Sequence, residues 1–163
     1  MVNMSHFFWN NIFKKNKSEI EIIAELWQLT PLFKNIPSRH ILALAENMHV
    51  RNFQQDEVVF RVGDQSAGAI LLLQGQVNIS TSNANLAELV QGDFFGEIAL
   101  AETEKRLADA YSVKPSRLVY FLKQDMQDWI ETEPRLGAIL LTNLSSILAH
   151  RLYKANMLLA EEI

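Results

Sequence analysis

Cysteine is absent from the 163-residue chain, which excludes disulfide scaffolds, thiolate zinc sites and cysteine nucleophiles. An excess of positive charge is absent too, because 15 Lys and Arg stand against 19 Asp and Glu, a net charge of −4. This balance argues against direct nucleic-acid binding over a broad basic face. Long apolar runs are also missing: the longest inside the domain, residues 67–73, is interrupted by Gly68 and is far too short to span a membrane.

Several signatures of secretion, metal binding and catalysis are missing as well. Residues 1–11 lack the charged start and long apolar middle of a secretory signal, so we expect a cytoplasmic protein. The histidines are scattered without the spacing of metal ligands, at His6, His40, His49 and His150. The sequence has no nucleophile elbow, no Walker loop and no carboxylate pair with an evident task. We therefore expect no metal, no cofactor and no enzymatic activity.

The composition that is present fits one packed domain, since 48% of the residues are apolar and only 21% are charged. Three zones follow one another: a helical start, a strand-rich middle from about residue 50 to 122, and a helical end. We divide the chain into an N-terminal tail or docking segment at 1–17, a domain at 18–130, and a long C-terminal helix at 131–163.

The helical start predicts a helix, a tight turn and a second helix. Ser18 followed by Glu21 is the pattern of a capping box at the start of the first helix. Prolines at positions 31 and 37 then interrupt the chain twice, and Ser38 is placed to cap the second helix.

The middle zone consists of short runs rich in Val, Ile, Leu and Phe, separated by turn residues. We predict strands within these runs, at residues 57–62, 69–73, 76–80, 86–90, 110–113 and 118–122. Five of the six glycines also lie in this zone, where tight corners between strands need them. The pattern is typical of a small antiparallel sandwich or roll rather than of βαβ units.

The helical end predicts a short helix before Pro134 and a long helix after it. Leucine, isoleucine and alanine recur in the long helix at steps of three and four, from Leu136 to Leu159. This stripe is suited either to covering the sheet or to pairing with the same helix of a second chain. Both interpretations, a lid and a homodimer seam, stay open.

The most informative segment is residues 92–100, Gly-Asp-Phe-Phe-Gly-Glu-Ile-Ala-Leu, followed shortly by Arg106. Gly96 allows a sharp turn into a one-turn helix that starts near Glu97. The N–H groups near Ile98 and Ala99 would then face an anion. Arg106 adds a planar, permanently charged group that suits phosphate oxygens. The segment therefore predicts an anion site.

This segment resembles the phosphate-binding cassette of cyclic nucleotide-binding domains, which occur in catabolite-activator-type regulators, kinase regulatory subunits and cyclic nucleotide-gated channels. The family pattern is Phe-Gly-Glu-aliphatic-Ala-Leu, five variable positions, and then Arg-x-Ala followed by Ser or Thr. The chain matches this pattern at Phe95, Gly96, Glu97, Ile98, Ala99, Leu100, Arg106 and Ala108. Upstream matches at 31–37, 59–64 and 73–77 extend the resemblance to about residues 29–152.

The resemblance implies a mainly β fold with flanking helices. Its centre would be an antiparallel β-roll of the jelly-roll or cupin-like type (a double-stranded β-helix), with an N-terminal helical pair and a long C-terminal helix. The ligand would be cAMP or cGMP, with Arg106 at the cyclic phosphate and Glu97 at the ribose 2′-hydroxyl. The expected binding residues are Phe95, Gly96, Glu97, Ile98, Ala99, Arg106, Leu107, Ala108 and Asp109.

Asp109 departs from the family pattern, which usually has a Ser or Thr hydroxyl here that donates to the cyclic phosphate. Two like charges about 4 Å apart repel by roughly 1 kcal/mol in water and by about 4 kcal/mol at an effective dielectric constant near 20. We expect Asp109 either to pair with Arg106 in the empty pocket or to turn outward. A further interpretation makes Arg106 a surface residue paired with Asp109 or Glu102.

The resemblance implies a free-standing regulatory module that signals to a partner protein through movement of the C-terminal helix. The alternative is a degenerate domain of the same fold that acts as a nucleotide-independent interaction or scaffold module. A metal-dependent roll enzyme is a third alternative, but the His-x-His pattern of such enzymes is missing. The aromatic segment at residues 6–13, followed by lysines, would dock onto protein or, as an alternative, onto a membrane surface.

Overall fold

The computed structural model describes residues 17–102 and 105–161. The strands are β1 (His49–Phe53), β2 (Val58–Phe60), β3 (Gly68–Ser80), β4 (Asn85–Val90), β5 (Phe94–Phe95) and β6 (Asp109–Leu122). The helices are α1 (Glu19–Gln28), α2 (Ser38–Ala45), α3 (Ile98–Ala101), α4 (Lys123–Thr132) and α5 (Pro134–Glu161), and a 3₁₀ turn (Pro31–Phe33) lies between α1 and α2. The predicted aromatic docking segment lies outside the described residues.

Helix α1 begins with the predicted capping box. The backbone N–H of Ser18 donates to Oε2 of Glu21 over 2.7 Å, and the N–H of Glu21 donates to Oγ of Ser18 over 3.3 Å. These hydrogen bonds stabilise the charged carboxylate and lower the pKa of Glu21. The predicted cap at Ser38 is wrong, because Pro37 is the N-cap residue of α2 and Ser38 is already helical, without a side-chain cap bond.

The strands form one antiparallel sheet in the order β1-β6-β3-β4, with β2 joining β6 and β5 joining β3. The predicted mainly β architecture, a roll with flanking helices, is therefore confirmed. Within it the β3–β6 pair is the longest contact, running from Gly68 opposite Leu122 to Ser80 opposite Asp109.

Four of the predicted strands are in fact two long ones. The runs at 69–73 and 76–80 both belong to β3, and the runs at 110–113 and 118–122 both belong to β6. The pairing shifts register between Leu72 and Val77, so each strand bends there without ending. Gly75 occupies this bulge with φ +101°, which is why a turn residue interrupts the apolar pattern inside a continuous strand.

Two cores lie on the two faces of the β3–β6 ribbon. One core packs the helices against the sheet, and at its centre the Trp27 ring lies 5.5 Å from the Phe33 ring and 6.0 Å from the Phe121 ring. The other core fills the roll and includes Phe53 and Leu118. Neither core fills the end of the roll next to α3, and the candidate site lies there.

Helix α5 is packed along its first half only. Leu140 and Leu144 are buried, and Nδ2 of Asn143 donates to the carbonyl oxygens of Leu32 and Lys34 over 2.9 and 2.8 Å. Residues 151–160 are all exposed. The first half of the leucine stripe thus covers the domain, while its second half faces solvent. In the part of the chain that the structure describes, every helix is too short or too polar to cross a bilayer.

We expect Gly75→Ala to destabilise the protein more than Gly63→Ala. Both glycines have positive φ, which costs a residue with a Cβ about 1–2 kcal/mol. A Cβ at Gly75 would lie 2.2 Å from Oγ of Ser116, whereas a Cβ at Gly63 meets nothing within 4 Å. Urea unfolding should show a loss of about 1 kcal/mol for Gly63→Ala and about 3 kcal/mol or more for Gly75→Ala. Equal losses would contradict this account of the bulge.

Candidate functional site

A cavity of about 590 Å³ opens between the roll, α3 and α5. Most of its wall is apolar, and the polar groups include the guanidinium groups of Arg106 and Arg151. Most of the residues predicted to bind line this cavity, namely Phe95, Gly96, Ile98, Ala99, Arg106, Leu107 and Ala108. The two predicted residues outside the lining are Glu97 and Asp109.

Arg106 is held in the wall of the cavity rather than out in solvent. Its Cζ lies 4.4 Å from the centroid of the Phe60 ring, and its Nη2 donates to the carbonyl oxygen of Gly68 over 3.4 Å. Gly96, at φ +72°, lies directly against it, since an added Cβ there would lie 2.4 Å from Nη1. A side chain at position 96 would therefore displace the guanidinium.

Burial lowers the pKa of Arg106, and the nearby Tyr120, Asp64 and Glu97 oppose this shift. Burial also raises the pKa of the Tyr120 phenol, which keeps that group neutral. A guanidinium remains charged throughout the physiological range. The site therefore presents a partly desolvated, permanent cation to the cavity.

Glu97 is the N-cap residue of α3, and its side chain is 0% exposed. Nη1 of Arg151 lies 2.5 Å from its Oε1, so the two charges pair. Among the described residues, however, neither carboxylate oxygen receives a hydrogen bond of acceptable geometry. Oε1 is thus paired with the guanidinium, while Oε2 has no partner in the part of the chain that the structure describes.

The predicted free N–H group of Ala99 is not free. It donates to the carbonyl oxygen of Gly96 over 3.1 Å, and the next N–H, of Leu100, donates to the carbonyl oxygen of Glu97 over 2.9 Å. The turn into α3 therefore forms its internal hydrogen bonds from the N–H of Ala99 onward, one residue earlier than we predicted. Ala99 therefore contributes apolar surface to the cavity wall.

Asp109 does not line the cavity, and its carboxylate turns outward, which is one of the two arrangements that the sequence left open. Its Oδ1 accepts a hydrogen bond from the backbone N–H of Val62 over 2.7 Å. Asp109 is the first residue of β6, and the neighbouring Ala110 is buried in the roll core. Because successive side chains of a strand alternate, the Asp109 carboxylate lies on the opposite side and binds the loop after β2.

Sequence reasoning missed Arg151, which lines the cavity from helix α5. The pattern did contain a signal: Arg151 follows the buried Leu144 by seven residues, or about two helical turns, and so lies on the same face. Its Cζ also lies 5.8 Å from the centroid of the Phe94 ring. Within the described residues, His, Asp and Glu side chains form no cluster suited to a metal ion.

The cyclic nucleotide-binding domain family matches residues 50–133, just over half of the 163 residues. The chain belongs to this family. The match includes Glu97 and Arg106, and it confirms the resemblance drawn from the cassette.

Three curated relatives carry this similarity. A putative potassium channel protein of Rhodopseudomonas palustris is 28% identical over 66% of this chain and 27% of its own length. Glutaminase 1 of Bradyrhizobium diazoefficiens is 28% identical over 77% of this chain and 21% of its own. The cyclic AMP receptor protein of Thermus thermophilus is 26% identical over 78% of this chain and 60% of its own. The chain thus spans between about a fifth and three fifths of these proteins.

A solved structure supports the same conclusion for the fold. The Thermus thermophilus catabolite activator protein superposes with a TM-score of 0.71 and 26% sequence identity, covering 80% of this chain and 62% of that one. These relatives are named as a putative potassium channel protein, a glutaminase and a cyclic AMP receptor protein, so similar domains occur in proteins of different kinds.

We expect Asp109→Ala to lower the free energy of unfolding by about 1 kcal/mol, because the N–H of Val62 loses a charge-assisted hydrogen bond. Asp109→Asn keeps an oxygen at the same place and serves as the matched control, with a loss of less than about half that amount. Chemical denaturation measures both. Equal stability of Asp109→Ala and the unchanged protein would show that the contact contributes nothing.

Proposed function

We propose that the cavity binds a purine cyclic mononucleotide, cAMP or cGMP, and that the domain acts as a regulatory module. The observation that carries this proposal is a cation in the cavity wall with a buried, partly unpaired carboxylate close behind it. Arg106 supplies the partly desolvated cation, and Glu97 supplies Oε2, a buried acceptor without a partner among the described residues. A cyclic nucleotide carries both complements, a phosphate anion and a ribose 2′-hydroxyl donor.

The phosphate would lie against Arg106. The stacking of this residue on Phe60 and its contact with Gly96 fix the guanidinium before a ligand arrives. Preorganisation of this kind reduces the side-chain conformational entropy that is lost on binding. The ribose would lie toward Glu97, whose oxygens are suited to a hydroxyl donor.

The base would lie over the apolar part of the cavity. Leu86, Ile98 and Leu107 line it and remain 56%, 48% and 80% exposed, so a flat aromatic ligand would remove much apolar surface from water. The name of the Thermus relative, a cyclic AMP receptor protein, supports cAMP as the first ligand to test.

The output of the module would pass through α5 to a partner protein. Residues 151–160 of α5 are exposed, so they are free to change their contacts when the cavity fills. We therefore keep the division into an N-terminal segment at 1–17, a nucleotide-binding domain at 18–130 and a signalling helix at 131–163. In this scheme the module itself has no catalytic role.

Calorimetric titration with cAMP and cGMP tests the proposal. We expect the unchanged protein to bind at least one of them with micromolar affinity, and Arg106→Gln to lose about a hundredfold because a charge-assisted phosphate contact disappears. Arg61→Gln, at an exposed arginine on the neighbouring loop, is the matched control and should bind normally. Asp109→Asn should also bind normally.

Absence of binding by the unchanged protein would favour the alternative, a scaffold module that keeps the fold without the ligand.

We also propose a homodimer through the exposed half of α5. Leu152 and Leu159 are 63% and 62% exposed and share one helical face, which suits a helical pair. Sedimentation should give about twice the 18.6 kDa mass of the chain, and Leu152→Glu should give the monomer. Lys154→Glu, on the same exposed stretch, is the control that should keep the dimer. If the unchanged protein sediments as a monomer, the proposed dimer interface through α5 is wrong.

A further inference from the structure

Arg106 also lines a second cavity, of about 580 Å³, which opens between β1, β2, the start of β3 and the end of β6. Its Nη2 donates to the carbonyl oxygen of Gly68, which lines this second cavity, whereas its Nη1 lies against Gly96, which lines the first. We propose that the second cavity is a separate binding site for a small phosphate monoester. The proposal goes beyond the proposed function, because it depends on Arg51 and Tyr120, which do not line the first cavity.

The face of β1 that points into the roll is apolar at one end and charged at the other. Phe53 is buried in the core of the roll, whereas Val50 packs against the helical core on the opposite face. Because strand side chains alternate, Arg51 and His49 lie on the same face as Phe53. Tyr120, opposite His49 on β6, packs partly against the roll core and continues this face. Charged residues thus occupy inward-facing positions, and they line the second cavity.

Two guanidinium groups reach the second cavity, and each stacks on aromatic rings. Cζ of Arg51 lies 5.1 Å from the centroid of the Phe53 ring and 5.8 Å from that of the Tyr120 ring. Arg106 stacks on Phe60. Neither arginine takes part in an ion pair within the part of the chain that the structure describes. Stacking leaves the N–H groups at the edge of a guanidinium available, so both cations can bind an anion.

The Tyr120 phenol adds a neutral donor close to both cations. Burial raises the pKa of this phenol, and the charges of Arg51 and Arg106 both act against the rise, so both guanidinium groups lie near it. The phenol is therefore protonated at neutral pH and can donate its O–H to an anion. Three side chains from β1, from β6 and from the segment before β6 thus direct donors toward one space.

The lining of the second cavity is more positive than the chain as a whole. Among the described residues that line it, Asp64 is the only carboxylate, and its Oδ2 accepts a hydrogen bond from the backbone N–H of Arg61 over 2.8 Å. Two guanidinium groups therefore stand against one carboxylate even when His49 is neutral, whereas the net charge of the chain is −4. An excess of positive charge in a concave surface attracts anions.

This set of donors suits a phosphoryl group better than a carboxylate. A phosphate monoester offers three acceptor oxygens and up to two negative charges, which match two guanidinium groups and a phenol, whereas a carboxylate offers two oxygens and one charge. The rest of the lining includes the apolar side chains of Val59, Ile70 and Leu122. They leave room for the organic part of the ligand, which is why we propose a monoester rather than free phosphate.

Titration of the ¹⁵N-labelled protein with phenyl phosphate, followed by NMR, tests the site and its location. This probe combines a phosphoryl group with a flat apolar body. We expect saturable shifts of the amide resonances of Ala67 and Tyr120, which line only the second cavity, with a dissociation constant of about 1 mM or lower. Shifts confined to Ile98 and Leu107, which line only the first cavity, would overturn the proposal. The absence of saturable shifts would do the same.

Arg51→Gln is the decisive variant, because Arg51 lines only the second cavity. We expect the affinity measured at the Ala67 amide to fall about tenfold, since a charge-assisted contact is lost. Tyr120→Phe keeps the ring next to Arg51 and removes only the O–H, so its affinity should fall about threefold. Arg61→Gln, at an exposed arginine outside both cavities, is the matched control and should bind normally. If Arg51→Gln and Tyr120→Phe both fold and bind as the unchanged protein does, the proposal is wrong.

The result can be separated from the test of the nucleotide proposal. If cAMP and cGMP do not bind but phenyl phosphate shifts the Ala67 amide, the proposed nucleotide is wrong and the second site stands. If cAMP binds, we expect Arg51→Gln to keep its cAMP affinity within about twofold while it loses phenyl phosphate. Loss of cAMP and phenyl phosphate together would show one shared site and would overturn the second site alone.

Discussion

The antiparallel pairing of β3 with β6 is the constraint on which the rest of the structure depends. Because strand side chains alternate between faces, Leu71 and Val119 pack against the helices while Ile70 and Leu118 fill the roll. A shift of one residue would exchange the two faces and destroy both cores. The same ribbon positions the site, because Gly68, at the start of β3, accepts the hydrogen bond of Arg106.

The local pattern of the sequence predicted most elements of the fold. The predictions failed where pairing between distant parts of the chain determines whether a strand forms or continues. The capping box at Ser18 depends on neighbours alone and was predictable. The continuity of β3 was not, because Gly75 looks like a turn residue until its bulge against β6 is seen. Strand β1 was also missed, since its residues are mostly exposed and only Phe53 is buried.

The sequence predicted the site residues within the cassette, but it did not predict the contacts that other elements make with them. The spacing in the cassette was sufficient to place Arg106 in the cavity wall, and Glu97 lies behind that wall, close enough for its charge to act on Arg106. The outward turn of Asp109 depends on the N–H of Val62, 47 positions away in the chain. The contact of Arg151 with Glu97 depends on how α5 docks, which a helical stripe of leucines does not specify.

The division of α5 into an anchored and a free half explains how a small ligand would act on so long a helix. Tight packing holds the first half at Leu140 and Leu144, and no ligand of ordinary affinity would release it. The second half has exposed side chains, and next to the boundary stands one ion pair. A differential affinity of about 1.4 kcal/mol changes a two-state population tenfold. A ligand that contacts only the free half of α5 would therefore need little differential binding energy to change the surface of the module.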